Sequence, residues 1–182
     1  MDAARELFVA DGWAATGMRD IAAAAGVAVE TVYSHFSSKR GVLHAVADAA
    51  VAGDHVPVPL AQRPEFVAMG QGRRSARIQA AAALVTGTQV RTAAVATLLR
   101  QAAPDDEEIA ELLRSTRERQ RSDVATALEL VTGRAPSTQE RDGVWAVVSP
   151  EVYLLLVEES GWTPEEYEVW IAATLDSVIP RS

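Results

Sequence analysis

The sequence predicts an all-α chain: an N-terminal helix-turn-helix head followed by a larger helical domain, about nine helices in all. Three observations carry this expectation. Ala alone fills 34 of 182 positions, and with Leu, Arg, Glu and Gln it makes a chain of strong helix formers. No segment alternates apolar and polar residues long enough to make a half-buried strand. Glycines and prolines fall between segments of helix length: Gly12, Gly17 and Gly26 early, then Pro57, Pro59 and Pro64, then Pro104, Pro136, Pro150 and Pro164.

Composition and charge narrow the function classes. At 48% apolar residues the chain can bury a real core. Seventeen Lys+Arg stand against 25 Asp+Glu, a net charge of -8, which counts against a globally basic nucleic-acid binder. With no cysteine, disulfides, thiol nucleophiles and thiolate metal sites are excluded. Only His35, His44 and His55 could serve a metal; His44 and His55 read as surface or packing histidines, and no metal or cofactor is expected. No nucleophile motif and no Gly-rich phosphate loop after a strand is present, so an enzyme is not expected. The opening Met-Asp-Ala-Ala-Arg-Glu lacks the basic start and apolar run of a signal peptide. No apolar stretch approaches the roughly 18–20 residues of a membrane span, so a cytoplasmic protein without a membrane partner is expected. Sixteen of the 17 basic residues are Arg; the single lysine is Lys39.

The first helix is expected from about Asp2 to Asp11, with Ala4, Leu7 and Phe8 on one face, and the second from about Met18 to Ala25, with Ile21, Ala22 and Ala25 inward. Gly26 follows where a helix end wants positive φ, with Val27 as the apolar contact after the turn. The third helix spans about Val29 to Phe36, with Val32 and Phe36 inward and Glu30, Thr31, Ser34 and His35 outward; Tyr33 lies near its edge. Ser38 can cap a fourth helix that continues through Leu43, Val46 and Ala50. Two short helices around a tight glycine turn make a unit whose second helix can enter the major groove of DNA.

The domain boundary is expected in the Pro-rich stretch 54–64, giving a 1–53 head and a 54–182 helical domain. Gly87 is expected to break the helix and reset the phase of the row Ile78, Ala82, Val85; the alternative is that Gln89 continues the row and lines a ligand cavity. Pro104 opens the next helix, with acids at positions 105–108 in its first turn and the buried stripe Ile109, Leu112, Leu113, Thr116, Val124, Leu128, Val131. Its arginines 114, 117, 119 and 121, interleaved with Glu108, Glu111 and Glu118, read as a solvated face rather than a nucleic-acid stripe. The last two long helices, about 137–158 with a kink at Pro150 and 164–178 capped by Thr163, carry more apolar surface than one packing face needs. A homodimer with a four-helix interface would cover it, through Trp145, Val148, Tyr167, Ile171, Leu175 and Val178.

The stretches Ala3-Ala-Arg-Glu-Leu-Phe, Gly12-Trp-Ala-Ala-Thr-Gly-Met-Arg-Asp-Ile-Ala, Ala25-Gly-Val and Thr31-Val-Tyr-Ser-His-Phe-Ser-Ser-Lys-Arg-Gly-Val-Leu resemble the tetracycline-repressor (TetR) family of bacterial transcription regulators. The resemblance covers roughly residues 3–50; Trp145, Ser149-Pro-Glu-Val-Tyr and Gly161-Trp-Thr-Pro-Glu-Glu-Tyr-Glu-Val-Trp resemble the C-terminal domain of one TetR subgroup. It implies that Tyr33 contacts a phosphate or base and that Thr31, Ser34 and His35 face the groove. Arg19 would reach DNA from the second helix, Thr16 just ahead of it would also contact DNA, and Lys39 would bind a phosphate.

Three departures from the family pattern stand out: Gly17 in place of a Ser or Thr cap, Ala28 in place of a Ser cap, and a late start that shortens the first helix or leaves the natural chain longer. The resemblance implies a regulator, most simply a repressor, that binds a palindromic DNA operator as a homodimer and is released by a small-molecule effector. The alternative is a helical dimer with an impaired head that acts through protein partners.

Overall fold

The computed structural model describes residues 1–53, 58 and 60–180. Asp54, His55, Val56, Pro57 and Pro59 lie outside the described residues, and with them most of the expected boundary stretch and the expectation for His55. Among the described residues every regular element is helical: α1 (Asp2–Ala15), α2 (Met18–Ala24), α3 (Val29–Phe36), α4 (Lys39–Ala52), the single turn α5 (Pro64–Val67), α6 (Arg74–Ala102), α7 (Glu107–Thr132), α8 (Thr138–Val147), α9 (Pro150–Leu154) and α10 (Pro164–Val178). The chain forms two compact units, one of Met1–His55 with Ala94–Thr116, the other of Val56–Ala93 with Arg117–Ser182.

The first unit folds around Phe8, Ile21, Val32, Val42, Leu43, Leu99 and Ile109, each nearly or wholly buried. Each such side chain contributes about 1.5–3 kcal/mol by leaving water. Val32 is the one buried residue of α3, so this short helix is held by a single deep anchor with Val29 and Phe36 beside it. Helix α1 breaks at Gly12, whose φ of 82° and ψ of 171° leave the helical region; only glycine sits there without strain. The break turns Trp13 back onto Phe8, ring centroids 5.7 Å apart.

The second unit packs Phe66, Met69, Ile78, Ala82, Leu128, Tyr153, Tyr167, Ile171 and Leu175 together. Its helices start where the sequence supplies caps. Ser137 accepts the Glu140 N–H and Thr163 accepts the Glu166 N–H, and each glutamate reaches back to its cap's own N–H.

Four expectations need correction. Helix α6 runs unbroken through Gly87, because an interior glycine costs only about 1 kcal/mol in a helix this well buried. Helix α7 starts at Glu107 rather than Pro104: residues Ala103–Asp105 make a 3₁₀ turn and Asp106 caps the helix, accepting the N–H groups of Glu108 and Ile109. The helix expected over 137–158 is two helices, because Ser149 leaves helical geometry to cap α9, which then loosens into a π-turn at Leu155–Glu159. Finally, Arg74–Asp105 does contain an 18-residue window with mean hydropathy 1.2, long and apolar enough to span a membrane by that measure. Ile78, Ala81, Ala82, Ala93, Val95, Leu98 and Leu99 of this stretch are buried in the protein's own cores, while Val90 is 53% exposed.

Candidate nucleic-acid interface

The α2–α3 corner is closed by backbone hydrogen bonds. Gly26, at φ +67°, donates to the Ala23 carbonyl at 3.1 Å, and Val27 donates to the Ala22 carbonyl at 3.0 Å. This is the glycine helix ending that the sequence predicts. Val27 is nonetheless 44% exposed and Ala25 is exposed, so neither is the apolar contact expected of it. At the other end of α2, Gly17 has no side chain with which to cap, and the Asp20 carboxylate accepts its N–H at 2.8 Å instead. Ala28 leaves the start of α3 without a side-chain cap.

With Val32 buried, α3 turns Glu30, Thr31, Tyr33, Ser34 and His35 to solvent, Tyr33 at 50% exposure. Two of these side chains are pre-set. Ser34 Oγ donates to the Thr31 carbonyl at 2.9 Å, and His35 Nδ1 lies 2.9 Å from the same oxygen. A carbonyl only accepts, so Nδ1 carries the hydrogen and the lone pair of a neutral ring sits on Nε2. The face therefore offers a phenol, hydroxyls and one imidazole acceptor, groups that meet base edges and phosphates. Arg19 is exposed on α2, with no ion-pair partner among the described residues.

Thr16 stands apart from this set. It is 2% exposed, and its hydroxyl lies 3.2 Å from the Leu7 carbonyl and 3.0 Å from the Gly12 carbonyl, where it donates to the broken end of α1.

The α3–α4 joint is tightly built. Ser37 takes φ 57°, the one non-glycine positive φ among the described residues. Ser38 caps α4 by accepting the Gly41 N–H at 3.1 Å. A Cβ on Gly41 would lie 2.1 Å from the Phe36 carbonyl oxygen, so glycine alone fits there. Lys39 is half-buried; its ammonium donates to the Trp13 carbonyl and sits 4.0 Å from the centre of the Trp13 ring. Burial lowers its pKa, while the charges of Asp106 and Asp20 pull it back up. Arg40 pairs with Asp106 at 2.8 Å and Glu108 at 3.3 Å.

In the second unit, Tyr167, Ile171 and Leu175 are at most 2% exposed and pack within the protomer's own core. Of the other residues expected at a dimer seam, Val178 is 44% exposed, Val148 is half-buried, and Trp145 is half-buried under Arg121, 4.3 Å from its ring centre. Val169, 74% exposed on α10, was not picked out from the sequence, because it lies off the row that Tyr167 and Ile171 define. Gln89 is 6% exposed and donates to the Val148 carbonyl. It shares one face of α6 with Thr86 and Thr92, also buried, and the Thr86 hydroxyl has no hydrogen-bond partner among the described residues. Of the arginines of α7, Arg114 and Arg119 are exposed as a solvated face requires, Arg114 pairing with Glu107 and Glu111, whereas Arg117 and Arg121 are half-buried, Arg117 paired with Glu151 and Arg121 over Trp145.

Residues 1–46 match the model of "Bacterial regulatory proteins, tetR family". No curated protein matches the chain. Among solved structures, a protein assigned to the TetR family of transcriptional regulators from Rhodococcus sp. is similar at 20% identity and a TM-score of 0.66, covering 98% of this chain and 95% of that one. The TetR family transcriptional regulator PfmR from Thermus thermophilus is similar at 16% identity and a TM-score of 0.59, covering 100% of this chain and 94% of that one.

Proposed function

With residues 1–46 a TetR-type N-terminal domain and the chain in the fold of TetR-family transcriptional regulators, we propose that it is a ligand-responsive DNA-binding repressor working as a homodimer in the cytoplasm. The observation that supports this best is α3: Val32 anchors it inward while Thr31, Tyr33, Ser34 and His35 form one exposed polar face. Two such helices, related by a dyad and ~34–36 Å apart, would enter successive major grooves of a palindromic operator. The 1–53 head would bind DNA and the 54–182 domain would dimerise and take a small-molecule effector, with Gln89 at its site. Dimerisation would use the outward parts of α8 and α10, Trp145, Val148, Val169 and Val178, since Tyr167, Ile171 and Leu175 already serve the protomer. An effector would release DNA by binding the non-DNA conformation more tightly, which is all that linkage allows it to do.

The test is selection of a duplex from a random 30-base-pair pool by the full chain, followed by gel shifts. A palindromic consensus is expected. Tyr33→Phe should weaken binding several-fold, and Arg19→Ala should weaken it and lower the salt slope by about one. Failure to enrich any duplex would overturn the proposal in favour of a dimer that acts through protein partners.

A further inference from the structure

The basic pair at the start of α4, Lys39 and Arg40, is where phosphate contact is expected from resemblance, yet both side chains are engaged within the protein. Lys39 reaches back to α1, and Arg40 reaches to the cap of α7. We propose that Lys39 is a positioning residue for DNA recognition, acting through Trp13 to fix the recognition helix, and not a phosphate ligand. This rests on the DNA-binding role proposed above.

Four observations lead there. First, the lysine's acceptor is a carbonyl in the last turn of α1, one of the groups a helix end leaves without an intrahelical partner. An ammonium is a good partner for it, by charge as well as by hydrogen bonding. Second, the same ammonium lies over the Trp13 ring, so two independent attractions hold one nitrogen in one place. Third, Trp13 is itself fixed: the break at Gly12 turns it onto Phe8, which has no exposed surface. The lysine is thus tied to the core of the head and not to a loose surface ring.

Fourth, the tie has a short lever to α3. Only Ser37 and Ser38 separate Phe36, the last residue of α3, from Lys39. Ser37 is held at positive φ, and the first turn of α4 abuts the Phe36 carbonyl at Gly41. A shift at the start of α4 passes directly into the direction of α3, because this joint has no slack residue to absorb it. To reach a phosphate, the lysine would have to give up both partners and expose the Trp13 carbonyl.

The two roles predict different responses, and one of them needs no DNA. In the free 182-residue chain, Lys39→Met should speed amide hydrogen exchange in α3 at least tenfold and shift the Trp13 emission, identified by difference against Trp13→Phe. Lys39→Arg should restore much of both, since a guanidinium can also donate to the carbonyl and stack on the ring. On the selected duplex, Lys39→Met should weaken binding at every salt concentration while leaving the slope of log Kd against log salt unchanged. Unchanged α3 exchange overturns the proposal, whether or not DNA binding falls. So does a salt slope that drops by about one, the signature of a lost phosphate contact. If wild type selects no duplex, the DNA-binding role fails by itself, and the exchange measurement still decides whether Lys39 positions α3.

Discussion

Arg40 grips Asp106 along both edges of the carboxylate: Nε lies 3.2 Å from Oδ1, and a terminal nitrogen lies 2.8 Å from Oδ2. The same Oδ1 accepts the N–H groups of Glu108 and Ile109, at 3.1 and 3.3 Å. One carboxylate therefore caps α7 and anchors the start of α4. The Arg40 guanidinium, with help from those N–H groups, holds its pKa below the usual range.

The two jobs of Asp106 can be separated by mutation. Arg40→Gln removes only the anchor and should lower the melting temperature by no more than a few degrees, since the guanidinium is 44% exposed and solvent screens the pair. Asp106→Ala removes cap and anchor together and should cost more. Asp106→Asn keeps an acceptor for the cap and should fall between. Thermal melts of the three variants check this order, and an Arg40→Gln loss as large as that of Asp106→Ala would contradict it.

Gly41 should tolerate no side chain. The nearest atom to an added Cβ is backbone, the Phe36 carbonyl oxygen at 2.1 Å, which cannot swing away as a side chain could. Gly41→Ala should destabilise the head by about 1–3 kcal/mol, the usual cost of overpacking. It should also weaken DNA binding by more than stability explains, because the clash falls where α3 meets α4. Urea unfolding beside gel shifts on the folded variant measures the two effects.

Thr86→Val should stabilise the protein. The threonine is 5% exposed and its hydroxyl has no hydrogen-bond partner among the described residues, so it bears a desolvation cost with no return. A methyl of similar volume should gain about 1 kcal/mol, seen as a rise in urea midpoint at constant slope. A loss would mean that the hydroxyl has a partner in solution.

Acid should loosen the start of α8. The Arg134 guanidinium, assisted by the Ser137 N–H, holds Glu140 down from 4.5 to about 2. A depressed carboxyl pKa contributes stability that is fully present above the unfolded value and lost as pH falls through the folded one. The window is therefore about pH 4.5 down to about 2. Glu140→Gln should lower the melting temperature at pH 7 by a few degrees, and the gap to wild type should close by pH 2. A gap of constant size would rule out the charge as its source.

Local signals made most of the architecture legible. The bounds of α3 follow from the Gly26 turn before it and the Ser38 cap of α4 after it, and the start of α10 from Thr163 and Pro164, which is information carried within a few residues. Gly87 misled because a glycine's effect depends on how much packing stands against it, and packing is non-local. Burial on α10 misled for a related reason: Tyr167, Ile171 and Leu175 are apolar enough for a seam or a core, and only the fold assigns them to the core. The exposed face of α3 was readable from helical period. The partner of Lys39 was not, because Trp13 lies 26 residues away and is brought close by a break in the helix at Gly12 whose direction no local pattern encodes. Asp106 could have been found: an acid two or three residues ahead of an apolar helical row is a cap signal, which Pro104 obscured.

The engaged cations at the α3–α4 joint bear on how such a protein would search a genome. Grip on arbitrary sequence comes almost wholly from neutralised phosphates, and between Thr16 and Arg40 this head has Arg19 without an ion-pair partner among the described residues and Lys39 and Arg40 engaged, on a chain of net charge -8. Molecules built this way would slide little and dissociate quickly from the wrong place, arriving at their target through solution. Few copies would be parked on competing sequence, so a small cellular pool would suffice to keep one operator filled.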